Sequence, residues 1–246
     1  IYLDVNFESE KPFGLDNILN HDSLTSDIAQ SLIIYSSLQD YDQFITLATM
    51  NIRAVGDKRD NPINPTKGYY LNTSFEFPTA KVLSNYIRTQ VKLYGYWSLS
   101  NQLVAAMKLN MGHIFLDKSK KYYIPFDRQF FAGGANSVRG WESRKLRYKP
   151  TQDSNIVNNE LYGFLENFVG STSLIESSLE LRYKFKRPEY FGDFLANQIE
   201  SLGLVGFVDV GNSYDWLVND YNSPVNSRNF FNTLAVSIGG GIRYFT

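Results

Sequence analysis

Apolar and polar residues alternate along most of the chain, as they do in strands that show one face to an apolar surrounding. The clearest runs lie at 69–77, 87–99, 103–115, 175–185, 202–210 and 234–244, and two earlier ones lie at 1–8 and 44–54. Residues 30–38 fit a strand on either face, and a short helix near 26–33 is an alternative. The pattern predicts an all-β protein of eight or nine antiparallel strands.

The two faces of these runs differ in a way that favours a membrane protein. Most runs reach or exceed the ~9–11 residues that a tilted strand needs to cross a bilayer. Their polar face carries mid-strand charges of both signs, which suits a lumen, whereas the apolar face suits lipid. Aromatic residues make up 15% of the chain. Several lie near strand ends, as in the aromatic girdles of membrane barrels: Tyr69, Phe77, Trp97, Phe115, Phe185 and Tyr244. We therefore predict an antiparallel transmembrane β-barrel.

A long segment, 117–170, interrupts the alternation. Loops of this length inside a domain are usually functional or disordered. Its large apolar side chains argue against disorder; they are Phe126, Phe130, Phe131 and Trp141. Gly133-Gly134 and Gly140 permit tight or left-handed backbone on either side of Arg139. The segment is therefore predicted to be a folded loop that holds one cation at a fixed place.

This loop resembles the sixth extracellular loop of the BamA/TamA family, outer-membrane barrels of the bacterial surface antigen superfamily that assemble other barrels. The family's loop folds back into the lumen and carries Gly-Gly followed by Val/Ile-Arg-Gly-Phe/Tyr. The matching residues are Gly133, Gly134, Val138, Arg139, Gly140 and Trp141, and Trp141 departs from the usual Phe or Tyr. The turn at 59–68 also resembles the family's turn before the ninth strand. The resemblance covers most of the chain.

The resemblance implies a domain organisation. Residues 1–246 would be the C-terminal portion of a 16-stranded barrel, with the loop 117–170 inside the lumen. Periplasmic repeats at the N-terminus and the last strands would lie outside this segment. Because long loops of such barrels face outward, the turn 56–68 and the connector 186–198 are predicted to be periplasmic. A barrel closed by these residues alone is not expected, since its edges would be unpaired in lipid.

Arg139 requires an anionic partner if it lies in a lumen, because a desolvated cation alone is costly. Alternation turns Glu180 and Asp209 inward on the first two strands after the loop. Their contexts resemble the family's wall strands, where such carboxylates hold the loop arginine. We therefore expect Arg139 within salt-bridge distance of Asp209 or Glu180. The alternative is that all three are ordinary solvated groups.

Other chemistry is poorly supported. The chain has no cysteine, so disulfides, thiolate catalysis and thiolate metal sites are excluded. His21 and His113 offer no metal-ligand spacing. The run Gly239-Gly240-Gly241 lacks the lysine and following helix of a phosphate loop. A net charge of −1 gives no broad attraction to nucleic acid. We predict no enzymatic activity, no cofactor, no metal and no nucleic-acid partner.

The family resemblance implies a function. The protein would be an integral protein of the bacterial outer membrane that inserts unfolded β-barrel client proteins into the lipid bilayer, with accessory lipoproteins as further partners. Two alternatives stay open: a polypeptide secretion pore of the same superfamily, and the barrel anchor of a fused lipase-like enzyme. A Gly-x-Ser-x-Gly motif in a preceding region would indicate the enzyme.

Overall fold

The computed structural model describes residues 2–10, 45–78, 86–116, 124, 128–147, 170–214 and 230–245. These residues form one eight-stranded antiparallel sheet in which each strand pairs with the next along the chain. A helix, α1 (Asp193–Glu200), precedes the seventh strand, and a 3-10 helix (Phe230–Thr233) precedes the eighth. The strands are β1 (Tyr2–Glu10), β2 (Ile45–Asp57), β3 (Gly68–Pro78), β4 (Tyr86–Ser98), β5 (Leu103–Leu116), β6 (Ser173–Lys184), β7 (Leu202–Tyr214) and β8 (Ala235–Tyr244).

The predicted all-β antiparallel class is confirmed, as a partial barrel. The eight strands match the lower of the two predicted numbers, and the ambiguous stretch 30–38 lies outside the described residues. No helix in the described part of the chain is long and apolar enough to cross a membrane.

The outward face of the sheet is apolar and uncovered. Leu179 is 58% exposed, Ile238 is 79% exposed and Val210 is half-exposed. Four more apolar residues of this face are also exposed: Ile87, Val91, Leu181 and Val208. Such a surface is unfavourable in water, since each Å² of apolar area left exposed forgoes roughly 25 cal/mol. An outward face of this kind matches the lipid-facing band of a membrane barrel.

The hydrophobic core lies on the opposite, inner face, under the long loop. Strands β4, β5 and β6 contribute Tyr86, Ile114 and Leu174 from the ends nearest the loop. The loop contributes Ile124, Phe130, Ala132, Val138 and Leu146. The core is thus formed between the wall of the barrel and its own loop, and not between two sheets.

The connections divide between the two ends of the sheet as the connection lengths predict. The turn at 58–67, the turn at 99–102 and the connector 185–201 share one end, called here the short-turn end. The long loop leaves β5 at the opposite end, from which the chain also leaves β7. This follows directly from an antiparallel meander, since successive strands run in opposite directions.

One local prediction was wrong. The strand with the run 202–210 was expected to end at Gly211-Asn212, but Gly211 pairs with Glu176 and the strand continues to Tyr214. The last part of the connector 186–198 forms the start of α1. Arg187 holds the start of this helix, donating to Asp193 Oδ1 at 2.6 Å. A helix of 8 residues is too short to show a clear period of 3.6 in the sequence.

Candidate functional site

Residues 128–147 of the long loop, called here the lumen loop, cross the inner face of the sheet. Arg128 Nη1 lies 3.3 Å from Glu76 Oε2 on β3. At the other side, Gly140 lies against Ser237 of β8. The lumen loop thus reaches across six strands of the wall. Its placement explains why a segment without strand alternation carries so many apolar residues.

A glycine pair turns the lumen loop toward the wall. Gly133 and Gly134 have φ of +96° and +99°, a region in which a Cβ is strained. A Cβ on Gly133 would also lie 2.4 Å from the carbonyl oxygen of Glu142. The turn is closed by Gly134 N–H, which donates to Trp141 O at 2.9 Å. It presents residues 137–140 to the strands.

Gly140 serves a different purpose from the one predicted. Its φ does not lie in the left-handed region. A Cβ at Gly140 would, however, lie 2.7 Å from the Cβ of Ser237. Gly140 is therefore required for close approach to β8, and not for an unusual backbone conformation.

Arg139 lies between two carboxylates of the wall. Its Nε donates to Asp209 Oδ2 at 2.7 Å and its Nη2 to Asp209 Oδ1 at 2.6 Å, which makes a two-pronged pair. Its backbone N–H donates to Asp209 Oδ2 as well, at 3.1 Å. Nη1 donates to Glu180 Oε1 at 2.7 Å, and Nη2 also donates to Ser178 Oγ at 3.0 Å. The guanidinium carbon lies 3.3 Å from the ring centroid of Phe207, so the cation stacks on an aromatic face.

The charges around Arg139 balance. The side chain of Asp209 has 0% exposure, that of Glu180 has 17% and that of Arg139 has 23%. Glu180 is shared with Arg182, whose Nη2 lies 2.7 Å from Glu180 Oε2. The hydrogen bonds that Arg139 donates, first to Asp209 and then to Glu180, raise the pKa of Arg139, so its charge is fixed. We call Arg139, Asp209, Glu180 and Arg182 the arginine cluster; two cations and two anions give it no net formal charge.

The remaining motif residues pack into the wall. Val138 has no exposed surface, and its Cγ2 would lie 3.2 Å from a Cβ on Gly211 of β7. The bare backbone of Gly211 therefore makes the space that Val138 occupies. Trp141 packs against the buried cluster beneath the lumen loop. The structure thus brings the predicted motif residues and both predicted carboxylates to one region of the inner face.

Known proteins share both the sequence pattern and the architecture of this chain. The sequence matches the Omp85 superfamily domain over residues 3–246. The chain belongs to the Omp85 superfamily. In fold it is similar to BamA from Haemophilus ducreyi, solved without POTRA domains 1-3, with a TM-score of 0.60 at 17% sequence identity. The match covers 82% of this chain and 37% of that one, so the chain spans well under half the length of that relative. No curated protein sequence matches.

The predicted resemblance to a BamA-like barrel is confirmed by these matches. Omp85 proteins form an outer-membrane family of insertion and secretion, whose members are non-enzymatic transport and assembly proteins. Among the described residues of this Omp85 chain, no group of three or more His, Asp or Glu side chains is placed to hold a metal ion. His21 lies outside those residues, and His113 Nδ1 lies 2.6 Å from Ser173 Oγ.

A further carboxylate of this Omp85 wall holds the lumen loop, and nothing in the sequence singled it out. Glu176 is buried on β6, where its Oε1 accepts a hydrogen bond from Ser137 Oγ. Ser137 Oγ in turn accepts from the N–H of Gly133 at 2.7 Å. Asn110 Nδ2 donates to Glu176 Oε2 at 2.9 Å, which orients the carboxylate. Alternation did place Glu176 inward beside Glu180, but nothing in the sequence linked it to Ser137.

Two glycines of the wall were also missed as contact residues. A Cβ on Gly112 of β5 would lie 2.3 Å from Cζ of Phe130, so the phenyl ring of the lumen loop lies directly on this bare backbone. A Cβ on Gly239 of β8 would lie 2.5 Å from Cζ of Phe207. The ring that stacks on Arg139 is therefore itself seated on a glycine, as part of a Gly239, Phe207 and Arg139 stack.

Proposed function

We propose that this chain is the C-terminal part of an outer-membrane insertase, which places client β-barrel proteins into the bacterial outer membrane. The observation that carries the proposal is the fastening of the lumen loop by Arg139 to Asp209 and Glu180 in an Omp85 barrel. No catalytic step is involved. Insertion would instead depend on main-chain pairing with the client and on the shape of the barrel wall.

Insertion would use the edges of strands as templates. In hydrocarbon every backbone N–H and C=O needs a partner, because no water is present to satisfy it. A barrel whose seam opens laterally offers such groups to a client hairpin, which pairs with them by strand addition. The antiparallel meander of β1 to β8 and its continuous apolar outward face support this reading, since a client strand has the same two properties.

The arginine cluster would keep the barrel competent for this exchange. Asp209 is fully buried, so the pair holds the lumen loop only while Arg139 is present and charged. The partners of the protein would be the lipid bilayer, unfolded client barrels and accessory lipoproteins. Periplasmic repeats and the remaining strands of a 16-stranded barrel would complete it. Glu180 and Asp209 would have a structural role, because each forms an ion pair with an arginine.

The test is client insertion by the complete protein in vesicles. A urea-unfolded client barrel is added to proteoliposomes, and the product is scored by its heat-dependent gel mobility and by protection from protease. We expect the wild type to yield membrane-integrated client and Arg139→Ala to yield much less, with its own barrel still folded. Arg187→Ala, which removes an exposed arginine of the connector, is the matched control. Soluble client inside the vesicles would instead indicate a secretion pore and refute the insertase proposal.

A further inference from the structure

A notch opens in the outward face of the sheet near the short-turn end. Its volume is about 490 Å³, within the range of small-molecule pockets. Apolar groups line most of it, from strands β3, β4 and β5, and one lysine stands at its rim. The principal lining residues are Tyr69, Leu93, Gly95, Trp97, Met107 and Lys67.

The notch arises from one missing side chain. Gly95 of β4 stands directly opposite Tyr69 of β3 and Met107 of β5, so the outward row of side chains has a gap between two large ones. The indole ring of Trp97 lies over this gap, since a Cβ on Gly95 would lie 2.6 Å from Trp97 Cη2. Tyr69 and Trp97 are both about half-exposed. The result is an apolar notch with aromatic groups on two sides.

The rim of the notch carries a positive charge at a fixed place. The backbone of Lys67 is held by Asp60, whose Oδ1 accepts from Lys67 N at 3.1 Å and whose N–H donates to Lys67 O at 3.1 Å. The side chain of Lys67 is exposed, and its ammonium makes no ion pair within the described residues. Lys67 immediately precedes β3, so it lies at the short-turn end of this membrane-spanning strand.

We propose that this notch binds one phospholipid, with an acyl chain in the notch and the headgroup phosphate on Lys67. The notch is continuous with the outward apolar face, which meets lipid in an Omp85 barrel. Tyrosine and tryptophan lie at the headgroup level of membranes, where a neighbouring lysine attracts the anionic phosphate. The apolar lining therefore matches the acyl chain of a phospholipid, the aromatic sides match the interfacial region below the headgroup, and the charged rim matches the phosphate.

The charge is tested by native mass spectrometry of the complete protein in detergent, titrated with phosphatidylglycerol. We expect wild type to retain one lipid, and Lys67→Ala to bind it about fivefold more weakly, as for a cation near the headgroups. Lys58→Ala is the matched control, because Lys58 lies in the same turn but does not line the notch. Diacylglycerol, which has no phosphate, should bind about as weakly to wild type as phosphatidylglycerol binds to Lys67→Ala.

The cavity is tested by filling it. Gly95→Leu puts a side chain into the notch and displaces the Trp97 ring, whose outer end already lies 2.6 Å from the place of a Cβ, so we expect the retained lipid to be lost. Gly206→Leu is the matched control, since Gly206 lies on the same outward face in β7, away from the notch, and a Cβ there meets nothing within 4 Å. Heat-dependent gel mobility checks that each barrel is folded. Equal lipid retention by wild type, Lys67→Ala and Gly95→Leu, or equal binding of diacylglycerol and phosphatidylglycerol, overturns the proposal.

Discussion

Replacing Arg139 by methionine removes the charge of the lumen loop while keeping an unbranched side chain. Asp209 then loses the hydrogen bonds from Nε and Nη2 and keeps the longer ones from the backbone N–H of residue 139 and from Ser237 Oγ. Stranding one partner of a buried ion pair costs about 3–5 kcal/mol. Arg139 is 23% exposed and Glu180 retains Arg182, so we expect the lower end, about 3 kcal/mol. That corresponds to about a 150-fold shift in the equilibrium between docked and released loop.

Hydrogen exchange of the complete protein in lipid nanodiscs measures this shift. The informative amides are those whose hydrogen bonds require the docked loop, namely Gly134 N–H to Trp141 O, Leu146 N–H to Ala132 O and Phe130 N–H to Ser171 O. Their protection should fall about 150-fold, while amides in the middle of β4 and β5 keep theirs. Client insertion should fall in parallel. Arg139→Lys should recover part of both, because lysine cannot make the two-pronged contact.

A double variant separates the ion pair from a general loss of packing. Arg139→Met combined with Asp209→Asn leaves no stranded charge, so the loss should be clearly smaller than the sum of the two single losses. The side-chain amide oxygen at position 209 would still accept a hydrogen bond from the backbone N–H of residue 139. Two results would refute the reasoning: unchanged exchange and insertion in Arg139→Met, or double-variant losses equal to the sum of the single ones.

Three further predictions concern other residues of the turn and the loop. Hydrogen bonds from the Thr66 hydroxyl, and then from nearby backbone N–H groups, lower the pKa of Asp60. The turn at 58–67 should therefore be fully ordered above about pH 4 and lose its order as the pH falls toward the lowered pKa. Hydrogen exchange of the Thr66 amide, corrected for its intrinsic rate, should show this loss in wild type, whereas the turn of Asp60→Asn should be disordered at all pH values. Gly140→Val should push the lumen loop off β8 and raise its protease sensitivity, and adding Ser237→Gly should restore part of the protection. Glu176→Ala should loosen residues 133–137 by about 1–3 kcal/mol, measured by their exchange, and unchanged exchange there would show that this carboxylate does not hold the glycine turn.

The faces of the strands could be predicted from the sequence because the side-chain period of a strand is 2. That period turns Glu180 and Asp209 to the same side as the loop, whatever the details of the sheet. The loop arginine could be singled out because Gly133, Gly134 and Gly140 surround it. In the structure both carboxylates accept hydrogen bonds from Arg139.

The contacts that the sequence did not disclose join the lumen loop to distant strands. Gly112 and Gly211 look like weak points of strands when read alone, and Gly211 was therefore mistaken for a strand end. Their purpose appears only when Phe130 and Val138 arrive from the loop and occupy the space above them. The contact of Ser137 with Glu176 was missed for the same reason, since a loop has no period from which the direction of a side chain follows.

The lumen loop also determines how the wall responds to force. In the described part of the chain it is fastened to β3 through Glu76, to β5 through Gly112 and to β8 through Ser237. Flexing the wall between these strands would have to open the turn that Gly134 N–H and Trp141 O close, or release one of the fastenings. The loop therefore acts as a brace that makes this arc of the barrel stiff. If the wall deforms when a polypeptide arrives, the deformation should occur at the strands that the loop does not cross.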